Sequence, residues 1–163
     1  MYINSKLQVY LDEIQANVTL HGHNVYTKEA ERIASPVFFE LDGCVLLDQG
    51  TGDELPAQFS PDAVTPDRTA FEAQYNHLHL TDYYTDPPIS PIGVFSIGVE
   101  LVAIWTTQLK QQFSGRRQFV IVLSFDGEET VLRFFTRRFD EPVWADIAGI
   151  EKYIDGVMIV EVE

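Results

Sequence analysis

The sequence predicts an α+β fold, an antiparallel or mixed β-sheet packed against two or three helices. Three observations predict it: two apolar segments folded about Asp-Gly pairs, apolar stripes at helical spacing, and an order after residue 90 of helix, hairpin, helix, strand. A chain of 163 residues with 45% apolar and 12% aromatic residues can bury a core, and that burial offsets the entropy of ordering the chain. One domain over residues 1–163 is expected, with a hinge candidate near 86–91.

From Ser5 to Val18 the apolar residues Leu7, Tyr10, Leu11, Ile14 and Val18 form one helical stripe, with Asn4 or Ser5 available as the cap. TKEAERIA behind Thr27 gives a short helix that Ser35-Pro36 ends, because the residue before proline avoids the α region. Val37–Leu41 and Cys44–Asp48 flank Asp42-Gly43 and predict a hairpin, since Asp-Gly supplies the positive φ angles of a type I′ turn. Gln49 to Asp67 is rich in Gly, Pro and Asp and reads as a long loop, a length that suits a binding segment. Asn76 to Tyr84 alternates and predicts a strand, with Leu78, Leu80 and Asp82 on one side and His77, His79, Thr81 and Tyr83 on the other.

Asp86-Pro-Pro-Ile-Ser-Pro91 lacks three backbone donors and should interrupt regular structure. Ser96 to Phe113 is the clearest helix, with Val102, Trp105, Leu109 and Phe113 on one stripe and Gly115 placed to end it. Gln118–Phe125 and Glu128–Phe135 about Asp126-Gly127 predict a second hairpin. Its first strand is apolar on both faces, as a covered central strand would be, and Arg133 marks a half-exposed face on the second. After Pro142, VWADIAGIEKYI predicts a short helix with Ile147, Ile150 and Ile154 inward, and Val157–Glu163 a closing strand.

The formal charge is −14, from 25 acidic and 11 basic residues, which repels nucleic acid and anionic membranes and favours a basic protein partner. No nucleic-acid or membrane partner is expected. Residues 1–90 hold 14 acids against four bases (−10) and residues 91–163 hold 11 against seven (−4), so a basic partner would be steered to the first half. The long loop and the tyrosines after it supply the expected binding residues: Asp48, Asp53, Glu54, Asp62, Asp67, Tyr83 and Tyr84. The alternative is that the charge serves solubility alone. No apolar run approaches the roughly 18 to 20 residues of a membrane span, Asp12 and Glu13 stand where a secretory signal is apolar, and Cys44 is the single cysteine. A cytoplasmic protein is expected, and a homo-oligomer is compatible with all of this.

The histidines form two pairs, His21-Gly-His23 and His77-Leu-His79. Residues i and i+2 of a strand share a face, so converging pairs could direct imidazoles at one metal ion, with Asp82 nearby. A metal-dependent enzyme built on His21, His23, His77 and His79 is the alternative to a binding protein. No cofactor is expected: Asp48–Glu54 lacks the EF-hand ligand pattern, and the GTG at 51 is too short to cradle phosphate. Cys44 within an apolar strand behaves as a small hydrophobe, and Ser124 has no GxSxG around it. Arg116, Arg117, Arg133, Arg137 and Arg138 gather on the second hairpin, either to hold an anionic ligand or partner or to pair with the chain's own acids. RNA binding through this patch would need aromatics on an exposed sheet face, and Phe134, Phe135 and Phe139 are equally explained as core.

The IWTTQLKQQF helix, the FVIVLSFDGEETVLRFFTRR hairpin and the closing EKYIDGVMIVEVE, within Ser96–Glu163, resemble small uncharacterised bacterial proteins of the toxin-immunity kind. That resemblance implies a cytoplasmic inhibitor that neutralises a cognate toxin domain by direct binding, without catalysis.

Overall fold

In the computed structural model, which describes residues 1–16, 27–50, 55, 58–85 and 88–163, a five-stranded antiparallel sheet is packed against helices, an α+β fold. Its strands lie in the order β1 (Tyr2–Ile3), β7 (Gly156–Val162), β5 (Phe119–Phe125), β6 (Thr130–Thr136), β4 (Leu78–His79). A separate two-stranded sheet pairs β2 (Phe38–Leu41) with β3 (Cys44–Leu47). The described helices are α1 (Ser5–Ala16), α2 (Lys28–Ala34), α3 (Arg68–Tyr75) and α4 (Pro91–Phe113).

The strand β5 is central, paired with β7 on one side and β6 on the other, which is why its residues are apolar on both faces. Its inner face carries Phe119, Ile121, Leu123 and Phe125 against α4. Phe125 stacks on Phe95 at 4.8 Å, Phe119 meets Phe113 edge-on at 5.3 Å, and Phe134 of β6 meets Trp105 at 5.7 Å. Each large side chain so buried contributes about 1.5–3 kcal/mol. The Trp105 indole also donates to the Ile33 carbonyl at 2.8 Å, which ties α2 to α4. The helix approaches the sheet closely at Gly98, where a Cβ would lie 3.0 Å from both Leu123 Cδ1 and Thr130 Cγ2. By length and composition α4 is apolar enough to cross a membrane; half of its apolar window is buried inside the fold.

The first hairpin forms as predicted, with φ of 45° at Asp42 and 81° at Gly43, the pair of positive angles a type I′ turn requires. The second closes differently. Its loop spans four residues, Asp126 to Glu129, and the Asp126 carboxylate accepts from the Glu128 and Glu129 amides, so β6 starts at Thr130 instead of Glu128.

Other elements depart from expectation for physical reasons. Helix α4 starts at Pro91, not Ser96, because Ser90 caps it through the Gly93 amide and a proline in the first turn needs no donor. The strand expected over Asn76–Tyr84 shrinks to Leu78–His79, and Leu80–Tyr83 turns into a 3₁₀ helix. The helix expected after Pro142 is reduced to a 3₁₀ turn at Ile150–Lys152, leaving Ile154 89% exposed instead of inward. The first helix is described to Ala16, and the remainder of the expected span lies outside the described residues.

Two elements go unpredicted, β1, which pairs with β7, and α3. The face that α3 buries is Thr69, Glu72, Ala73 and Asn76, all but one of them polar. These side chains join the two sheets. Glu72, fully buried, accepts from the amides of Val45 in β3 (2.6 Å) and Thr136 in β6, from the Thr136 hydroxyl (3.0 Å) and from Arg138 (2.8 and 3.1 Å). Asn76 accepts from the Leu47 amide (2.9 Å) and donates to the carbonyls of Val45 (3.0 Å) and Phe134 (3.2 Å). Backbone groups of β3 and β6 that share no ladder are thereby satisfied through a helix.

Candidate functional site

Most of the hairpin arginines turn inward on the molecule. Arg117 pairs with Glu40 (2.7 Å) and donates to the Gly43 carbonyl (2.9 Å), Arg138 reaches the same carbonyl (2.9 Å), and Arg68 binds Asp42 (3.1 Å). The β2–β3 turn is thus clasped by three guanidinium groups. Arg137 pairs with Glu161 and lies over the exposed Phe139 ring at 5.1 Å, while Arg116 donates to the Gln112 carbonyl.

The outer face of the sheet, opposite α4, is covered only in part. Val120, Val122, Phe135, Val157 and Ile159 pack beneath Ala73, Ala145, Ile147, Ile150 and Tyr153. Beside this cover lies a cleft of about 160 Å³, floored by Val120 and Phe135, with Arg137, Arg138 and Glu141 on its wall and Phe139, Val143 and Trp144 at its mouth. Those three mouth residues are exposed by 80%, 86% and 40%. Phe139 is therefore a surface residue, whereas Phe134 and Phe135 are core as expected. The cleft is smaller than the roughly 300 Å³ at which small-molecule pockets begin, and it suits a single inserted side chain.

Trp144 meets two neighbours on the same face of β6, the Phe135 ring at 5.3 Å between centroids and the half-buried Arg133, whose guanidinium carbon is 4.6 Å from the indole centroid. Burial lowers the Arg133 pKa from its ordinary value. The β4–β6 register, Leu78 opposite Leu132 and His79 opposite Val131, continues to place His77 opposite Arg133. The His77 and His79 rings lie 4.5 Å apart, and His79 Nδ1 is 2.5 Å from a Glu129 carboxylate oxygen. Burial, together with the charges of Arg133 and His79, drops the His77 pKa to about 4, so its ring is neutral near pH 7.

The residues singled out from the sequence are dispersed among local duties. Asp48 accepts from the Gly50 amide (2.9 Å), and Asp67 caps α3 through the Ala70 amide (2.7 Å). Asp62 closes a turn on the amides of Val64 (2.8 Å) and Thr65 (2.6 Å), bonds that hold its carboxyl below the usual range. Tyr83 is half-buried and Tyr84 is 4% exposed, so the Tyr84 ring belongs to the core. Asp53, Glu54, His21 and His23 lie outside the described residues. Among the described residues, no group of three or more His, Cys, Asp or Glu side chains is placed to hold a metal ion. Cys44 is fully buried and its thiol is pushed up to about 11, first by burial and then by Glu72, which keeps it protonated and inert.

Sequence reasoning missed Glu72, Asn76 and the cleft mouth. For α3 the signal was present as Asp67 at the cap and Thr69, Glu72, Ala73 and Asn76 at helical spacing, but a polar buried face defeats a search for apolar periodicity. The cleft mouth is not legible because the spacing after Pro142 predicts a helix over Val143 and Trp144, and the chain forms only the 3₁₀ turn at Ile150–Lys152.

Neither a curated protein nor a solved structure matches this chain. Over residues 2–163, nearly its whole length, the chain belongs to the Uncharacterized protein PM0498 family.

Proposed function

We propose that this protein is an acidic, cytoplasmic protein-binding module that engages a basic partner, in the manner of an immunity protein neutralising a toxin domain. The observation that carries this reading is the cleft mouth. Phe139, Val143 and Trp144 stand exposed within a six-residue span; Trp is a leading hot-spot residue and Phe is enriched in interface cores. Acidic groups lie beside them: Asp140 and Asp146 are exposed, and Glu141 lines the cleft. Arg137 and Arg138 nearby are paired with Glu161 and Glu72, so their charge is answered within the chain. A net charge of −14 adds long-range steering of a basic protein, which raises its association rate.

The test is site-specific photo-crosslinking in the native host, with the reactive group at Val143 and, as control, at the exposed Val9 on α1. A basic protein captured at 143 and not at 9, and lost as salt rises, is the expected result. Equal capture at both positions, or none at 143, removes the proposal.

A further inference from the structure

We infer that Arg133 and Trp144 form a carboxylate-binding site on the outer sheet face, beside the docking cleft and sharing Trp144 with its mouth. Among the described residues, Arg68, Arg117, Arg137 and Arg138 each have a carboxylate within ion-pair distance, and Arg116 has a carbonyl. Arg133 has neither. Its guanidinium carbon lies over the Trp144 ring at 4.6 Å, and among the described residues its N–H donors meet no carboxylate or carbonyl acceptor. In a chain with 25 acidic residues an unpaired, half-buried cation is costly to keep. Glu129, near the start of the same strand, is engaged instead with His79.

The surroundings define the ligand. Arg133 is held on a strand within the sheet, between Val122 on β5 and His77 on the β4 side, with Trp144 above. A strand position and the indole contact restrict the Arg133 side chain before any ligand arrives, which reduces the side-chain entropy lost on binding. The planar fork matches a carboxylate bidentately. The indole, 40% exposed, offers apolar surface to whatever the carboxylate is attached to. The ligand class is thus a small organic carboxylate with an apolar body.

Titration of the full chain at constant ionic strength, followed by NMR of the Arg Nε–H and Trp indole signals, tests this with benzoate, benzamide and inorganic phosphate as probes. Benzoate should give saturable shifts at Arg133 and Trp144, while neutral benzamide and phosphate should bind at least about tenfold more weakly, a difference of about 1.4 kcal/mol. Arg133→Lys keeps the charge but not the fork and should weaken benzoate by a similar factor. Benzamide binding equal to benzoate would reduce the site to an apolar contact, phosphate binding equal to benzoate would remove the carboxylate class, and absence of saturable shifts in the wild-type chain would remove the site altogether. The proposed function fails separately: its crosslink at Val143 reads capture of a protein, whereas this titration reads a small carboxylate.

Discussion

Replacing Glu72 by Ala removes the carboxylate on which two strands, one helix and an arginine converge. Its oxygens accept from the Val45 and Thr136 amides, the Thr136 hydroxyl and both terminal nitrogens of Arg138, with the Glu72 side chain fully buried and that of Arg138 only 12% exposed. Breaking a buried pair from one side costs about 3–5 kcal/mol, because the remaining charge has no partner. Each amide left without an acceptor adds a penalty of about 1–3 kcal/mol, partly relieved by relaxation and not additive with the first. The expected loss is therefore about 4 kcal/mol, a large share of the roughly 5–15 kcal/mol that a domain possesses. Urea denaturation reads it as a midpoint lowered by about 2 M at an m-value near 2 kcal/mol/M. Glu72→Gln should not rescue, since either orientation of the amide turns an NH₂ group toward protein donors. Changing Glu72 and Arg138 together to Met should cost clearly less than the sum of the two single changes. A single-mutant loss below about 1 kcal/mol, or strict additivity, would refute the account of how the sheets are joined.

Three further outcomes follow from the same contacts. Asn76→Ala leaves the Leu47 amide and the Val45 and Phe134 carbonyls without a side-chain partner and should cost about 2–4 kcal/mol, read by urea midpoint and by faster exchange of the Leu47 amide. His77 titrates near 4 in the folded chain against an ordinary 6.5, so the unfolded chain takes up the proton first as pH falls; stability should decline from about pH 6.5 to about pH 4 and level off below, and His77→Gln should flatten that slope in urea titrations. Phe139→Ser, at an 80% exposed position, should change stability by no more than about 0.5 kcal/mol, whereas a core phenylalanine cut back to a small residue would cost about 3–5 kcal/mol.

Much of the architecture was legible in the chain because it rests on local chemistry. Asp42-Gly43 carries its own turn, Thr27 its own cap, and the all-apolar run at Phe119–Phe125 its place in the middle of a sheet. The −14 charge and the single cysteine likewise belong to the composition. What tertiary structure decided is everything that depends on a distant partner. A helix whose buried face is Thr69, Glu72, Ala73 and Asn76 gains its stability from the backbone groups of β3 and β6, so no apolar period announces it. Pro91 reads as a helix breaker until Ser90 caps a helix that begins on it. Whether an arginine is paired or left open is set by which carboxylate the fold brings within 4 Å, and that criterion separates Arg137 and Arg138 from Arg133 although all three share one strand and its exit. Periodicity reports which face a segment buries; it carries no information on whether the polar groups of that face will find acceptors.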